Sequence, residues 1–351
     1  MKEFEDLYRD INSIVNQYTG QFKRKKAAWG LHNAKLKQKG SIDMSRIYSY
    51  KTSDNIFQKK VIQPKEKSHG LILLIDNSGS MTPNIFSVVQ KATELAIFAV
   101  RNDIDMECYL FTDTYNKKYI DCDIKLDGLL LSNLYNRTMS EQDIRNIFYD
   151  YYLYTFNKSL LDVKKLQNLQ NFWYMSGTPL IEAYLGVVER AKLMKLRDIQ
   201  HINVCVLTDG GANSPLYCKD GNLLSSFLDP FTQNIYTINK SLKLPNDILQ
   251  LEMFNRILKD INITTTHVHI TSYYSFYDKI LTDEKYREKF DNDMMVLIDN
   301  NPIKFDKTIL IDSKCVNIKQ NSIDYNSKSK INQVLTKNII DTLCQYYITR
   351  E

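Results

Sequence analysis

The run at residues 71–75, Leu-Ile-Leu-Leu-Ile, is what most constrains the fold. It is continuously apolar and too short for a buried helix, so it reads as a strand covered on both faces. Ile85, Val88, Val89, Ala92, Leu95, Ala96 and Ala99 follow at helical spacing. The same alternation then repeats. Residues 105–111 read as a strand, and Leu180, Ala183, Tyr184, Val187, Val188, Ala191 and Met194 as a helix. A strand at 202–207, a helix at 248–258 and a strand at 263–270 complete the series. Strands alternating with helices of this length predict an α/β fold, a Rossmann-like, mostly parallel central sheet flanked by helices.

The flanks are different. Phe4, Leu7, Tyr8, Ile11, Ile14, Val15 and Tyr18 mark a one-faced helix expected to pack on the domain. The basic stretch 21–38 reads as a second helix stopped at Gly40, followed by β-rich pieces around 47–50 and 55–62. The expected organisation is an N-terminal helical and β-rich extension, 1–69, and a domain over 70–351. That domain carries insertions at about 114–172, 211–246 and 291–327. The first holds a helix capped at Ser140 with Asp143 three residues on. The third reads as a hairpin of 294–298 with 308–311, and a final helix is expected over 331–348.

With 351 residues and 43% hydrophobics, the chain can bury a real core. Its six cysteines are scattered with no CxxC, and Cys108 and Cys205 lie in strand-like runs as small buried hydrophobes. No apolar run approaches the ~20 residues of a membrane helix. The polar start MKEFEDLYRD shows no secretory signal, so a cytoplasmic protein is expected. Charge is uneven: residues 1–70 carry 15 Lys/Arg against 7 Asp/Glu, and the remainder is slightly acidic.

Three short segments carry the chemistry. The strand 71–75 ends in Asp76-Asn77-Ser78-Gly79-Ser80, placing a carboxylate and two hydroxyls at i, i+2 and i+4. Ser176-Gly177-Thr178-Pro179 precedes a helix, and the strand 202–207 ends in Thr208-Asp209-Gly210-Gly211. In a parallel sheet, ligands bind beyond the carboxyl ends of the strands, and all three segments are expected there. The candidate donors are all oxygens: Asp76, Asp209, Ser78, Ser80 and Thr178. Such a set selects Mg²⁺ or Mn²⁺ over Zn²⁺. Two carboxylates cannot fill an octahedron, which leaves positions for water or an incoming acid. Gly79 and Gly210 are expected to let the loops turn sharply, and Gly177 to let the backbone approach the ion.

Asp76-x-Ser78-x-Ser80, then Thr178, then Asp209 resembles the metal-ion-dependent adhesion site (MIDAS) of von Willebrand factor A (VWA) domains. The resemblance covers about residues 70–275 plus the last helix and implies a metal at Asp76, Ser78, Ser80, Thr178 and Asp209. A closer relative is suggested by the segments 40–46, 55–57 and 73–81, and by His267-Val268-His269-Ile270 followed by Tyr273-Tyr274. These are similar to CobT-type cobaltochelatase subunits and CobT-like VWA proteins of phages. That resemblance implies an AAA+ ATPase partner acting in trans, and host cytoplasm if the chain is phage-encoded.

Other readings stay beside this one. No GxxxxGK[ST] loop is present, so no P-loop hydrolysis is expected. His267 and His269 share a strand face, as a second metal site or a half-exposed polar face. The basic residues 23–39 with Trp29 read as a solvated helix face or a surface docking an acidic partner, or as a grip on nucleic acid. Tyr149, Tyr151, Tyr152 and Tyr154 are a buried layer or a binding patch. The function expected is metal-dependent protein binding without catalysis by the chain alone, a partner's Asp or Glu completing the Mg²⁺ shell. The alternatives are a CobT-like subunit of a metal chelatase complex, or a structural or virion interaction protein with a fold-stapling metal.

Overall fold

A computed structural model describes residues 2–32, 35–42, 44–51, 57–62, 68–113, 124–125, 129–210, 215–218, 222–229, 231–271, 286, 290, 295–298 and 303–313. The elements run α1 (Lys2–His32), β1 (Lys35–Ile42), β2 (Phe57–Ile62), β3 (His69–Asp76), α2 (Ile85–Arg101), β4 (Asp105–Asp113), β5 (Ile124–Lys125) and β6 (Leu129–Asn136). Then come α3 (Glu141–Phe156), α4 (Val163–Phe172), α5 (Leu180–Leu196), β7 (His201–Thr208), β8 (Tyr217–Cys218), β9 (Ser226–Leu228) and β10 (Ile235–Thr237). The series ends with α6 (Asn246–Asp260), β11 (Ile263–Thr271), β12 (Met295–Ile298) and β13 (Lys307–Asp312). Among the described residues, no helix is long and apolar enough to cross a membrane.

The seven-stranded sheet has the order β12-β13-β11-β7-β3-β4-β6. β13, β11, β7, β3 and β4 are mutually parallel, and the two edge strands β12 and β6 are antiparallel to their neighbours. This is the α/β, mostly parallel sheet that the apolar runs predict. Every residue of β3 is buried, as a central strand between two helical layers requires. Leu71, Leu73 and Ile75 join α1, α2 and α3 in one core, while Ile72 and Leu74 join α5 and α6 in the other. Both Cys108 and Cys205 are buried free thiols within it.

Three expectations need correction. The N-terminal region is one helix, not two. α1 runs through Gly20 because a mid-helix glycine costs only about 1 kcal/mol. Burial of Phe4, Ile11, Val15, Tyr18 and Phe22 outweighs that, at roughly 1.5–3 kcal/mol for each large apolar side chain. The basic stretch 21–38 is thus split: its first part completes α1, and from Lys35 it enters β1, which runs through Gly40 and pairs with β2. Residues 47–49 form a short 3-10 turn rather than a β piece. His267 and His269 do not lie on a half-exposed face: both are buried, with His267 stacked on Phe305 at 4.9 Å and its Nδ1 3.4 Å from the Tyr184 hydroxyl.

The capping box at Ser140 and Asp143 is present, and α3 packs Tyr151 and Tyr152 into an aromatic layer with Phe86, Phe148 and Trp173. The expected hairpin is β12 with β13, and β13 is itself a parallel neighbour of β11. The helix expected over 331–348 lies outside the described residues.

Candidate metal centre

β3, β7 and the segment before α5 bring the candidate donors to the carboxyl edge of the sheet. β3 ends at Asp76, and its neighbour β7 ends at Thr208, one residue before Asp209. The 174–178 segment is tied to β3's loop by Gly79 N donating to Ser176 O (2.8 Å) and Asn77 Nδ2 donating to Tyr174 O (2.8 Å). The end of β4 holds it from the other side. Ser176 N donates to Thr112 Oγ1 (3.0 Å) and Gly177 N to an Asp113 carboxylate oxygen (2.6 Å).

A chain of short contacts runs through the site. Asp76, fully buried, accepts from Ser78 N at Oδ1 (2.9 Å) and from the Thr208 hydroxyl at Oδ2 (2.6 Å). Ser78 Oγ lies 3.0 Å from Ser80 Oγ, and Ser80 Oγ donates to Asp209 Oδ1 at 2.8 Å. Thr178 is buried beside Gly210, where a Cβ would lie 3.8 Å from its Oγ1. Among the described residues no hydrogen bond joins Thr178 to either carboxylate, so four of the five expected residues are linked and the fifth stands alongside.

Electrostatics set these carboxylates apart. Burial pushes Asp76 from 3.8 up to about 7; hydrogen bonds from Thr208 and Ser78 work against this, and the Asp209 charge adds to it. Burial also raises Asp209, partly offset by Ser80. Among the described residues neither makes a salt bridge. Two carboxylates joined through the Ser78 N–H and the Ser78 and Ser80 hydroxyls suit an external hard cation, so the donor chemistry fits Mg²⁺ or Mn²⁺. No cluster of three or more His, Cys, Asp or Glu side chains forms among the described residues; three of the five candidate donors here are hydroxyls.

The turns do not depend on glycine as expected. A Cβ at Gly79 would meet only Ser176 O at 3.9 Å, an ordinary contact like that at Gly210. Sequence reasoning missed Thr208, Asn77, Thr112 and Asp113. Only Thr208 had a local signal, as the last residue of its strand before Asp209.

No family model and no curated protein matches the chain. Among solved structures it is similar to the pilus adhesin SpaC of Lactobacillus rhamnosus GG in its open conformation. The TM-score is 0.37 at 14% identity, over 80% of this chain and 31% of that one. It is also similar to proximal thread matrix protein 1 of the mussel byssus, with TM-score 0.38 at 13% identity over 80% and 49% of the two chains. A third is the manganese-loaded TRAP protein of Plasmodium vivax, with TM-score 0.29 at 19% identity over 58% and 57%. The chain thus spans about a third to just over half the length of these structures.

Proposed function

We propose that this chain is a VWA-type, metal-dependent protein-binding module in which a partner's carboxylate completes a Mg²⁺ or Mn²⁺ shell built on Asp76, Ser78, Ser80, Thr178 and Asp209. The observation that carries the reading is the hydroxyl-linked Asp76–Asp209 pair at the carboxyl edge of a parallel sheet, with no salt bridge among the described residues. The chemistry a bound ion supplies there is coordination of an incoming acid. Asp76 is the buried anchor, held in one orientation by Ser78 N and the Thr208 hydroxyl. Ser78 and Ser80 would supply hydroxyl oxygens to such an ion, and Asp209 the second carboxylate.

The partner we assign is a protein presenting an exposed Asp or Glu. An AAA+ ATPase, or a protein that such a motor remodels, is the partner class that the CobT-like segments 40–46, 55–57 and 73–81 imply. Capture on immobilised wild type and on Ser78→Ala/Ser80→Ala, each with Mg²⁺ and with EDTA, tests the reading. The expected result is one set of partners lost both to EDTA and to the double substitution. If the substituted protein keeps every partner that EDTA removes, the metal acts elsewhere.

A further inference from the structure

Residues 23–62 hold 11 Lys/Arg against two Asp/Glu, a net charge of +9, whereas the rest of the chain carries −4. This charge falls on the end of α1 and the ribbon that follows it. Phe22 is the last fully buried residue of α1, and Trp29, one turn from its end, still packs against the core. Beyond Phe22 come Lys23, Arg24, Lys25 and Lys26, with Lys23 and Arg24 exposed. The chain then turns into the two-stranded ribbon β1–β2, which is a sheet by itself. Its register sets Lys37 directly opposite Lys60 and Gln38 opposite Lys59.

The segment joining the strands adds a different chemistry. Tyr48 is 83% exposed and Tyr50 60%, with Arg46 and Lys51 also exposed. Lys51 Nζ sits 5.6 Å from the Tyr50 ring centroid. Tyrosines of the folded body behave otherwise: Tyr135, Tyr151 and Tyr184 are buried. Solvent-exposed rings interleaved with cations form a platform on which bases stack while lysines and arginines hold phosphates. An acidic protein surface would account for the cations, and exposed tyrosines also occur at protein interfaces; the pairing of the Tyr50 ring with Lys51 is the contact that a stacked base and its phosphate would use.

We propose that this arm, the basic end of α1 with the β1–β2 ribbon and its tyrosine-bearing tip, binds single-stranded nucleic acid without sequence preference. The contact is independent of the metal-binding reading above and uses no residue of it.

The test is fluorescence anisotropy of a labelled oligothymidylate of about twenty nucleotides with the full chain in EDTA, at several salt concentrations. The wild type should bind with a steep salt dependence. Tyr48→Ala/Tyr50→Ala, both exposed, should weaken binding at least about tenfold. Lys37→Ser/Lys60→Ser should lower the slope of log K against log salt by about two, one for each lost phosphate contact. Circular dichroism of both variants checks that they fold. Failure to bind, binding undiminished by the tyrosine substitutions, or displacement by polyglutamate at equal charge concentration would overturn the proposal. The last two outcomes would indicate an electrostatic surface for acidic proteins.

Discussion

Two pairs of carboxylates sit on this sheet, and the molecule treats them oppositely. Asp105 and Glu107 lie at i, i+2 on β4 and meet arginines. Arg190 donates to both Glu107 oxygens (2.8 and 2.9 Å), and Arg197 reaches Glu107 (2.8 Å) and Asp105 (3.1 Å). Burial pushes Glu107 up, but hydrogen bonds from Arg190, Arg197 and Tyr109 bring it below its ordinary value. Asp105 stays raised, because burial outweighs the charges of Arg197 and Arg137. Asp76 and Asp209, at the metal face, meet hydroxyls and both rise. The first cluster meets its cations within the chain; the second meets none among the described residues.

Removing the internal cations should have the largest effect. Arg190→Ala/Arg197→Ala strands Glu107 and Asp105, whose side chains are nearly inaccessible. The expected loss is about 2–4 kcal/mol by urea denaturation, at the lower side of the range for broken buried pairs because the arginines are about a third exposed. Asp76→Asn in EDTA at pH 8 should do the reverse and leave stability unchanged or raised by up to about 3 kcal/mol, since no charge is then buried. A loss comparable to the arginine variant would mean that Asp76 holds the fold through other bonds.

Glu107 and Asp76 should also titrate with opposite signs in metal-free buffer. Glu107 is depressed, so its contribution is present above its ordinary value of 4.5 and is lost as pH falls below it. Asp76 is raised, so its contribution is complete below 3.8 and is lost as pH rises through about 7. Thermal melts from pH 3 to 8 check this. Asp76→Asn should flatten the upper part of the profile and Glu107→Gln the lower part.

Smaller effects sharpen the contrast. Ser78→Ala/Ser80→Ala should weaken Mg²⁺ binding about tenfold, near 1.4 kcal/mol, with little change in the metal-free melt. Gly79→Ala should change stability by no more than about 0.5 kcal/mol, because its added methyl meets only a 3.9 Å contact.

Much of this was legible in the sequence, for physical reasons. A strand buried on both faces must be continuously apolar, so Asp76 and Asp209 stood out as the polar residues that end such runs. Asp76, Ser78 and Ser80 fall within one loop and could be read locally. The partners of the site could not. Thr112 and Asp113 lie more than sixty residues from the backbone groups they hold, and nothing local marks that pairing. β6 and β13 read as parts of insertions because a short strand has the same pattern whether it joins the central sheet or a separate hairpin. The arginine cluster had a signal that went unused: Arg190 and Arg197 are seven apart on α5, two turns along one face.

The most direct test is Mn²⁺ titration followed by water proton relaxation, comparing wild type with Asp76→Asn and Glu107→Gln. One ion should bind to wild type and to Glu107→Gln, and binding should be abolished in Asp76→Asn. Undiminished binding to Asp76→Asn, or loss in Glu107→Gln while that protein remains folded, would contradict a cation site at the end of β3.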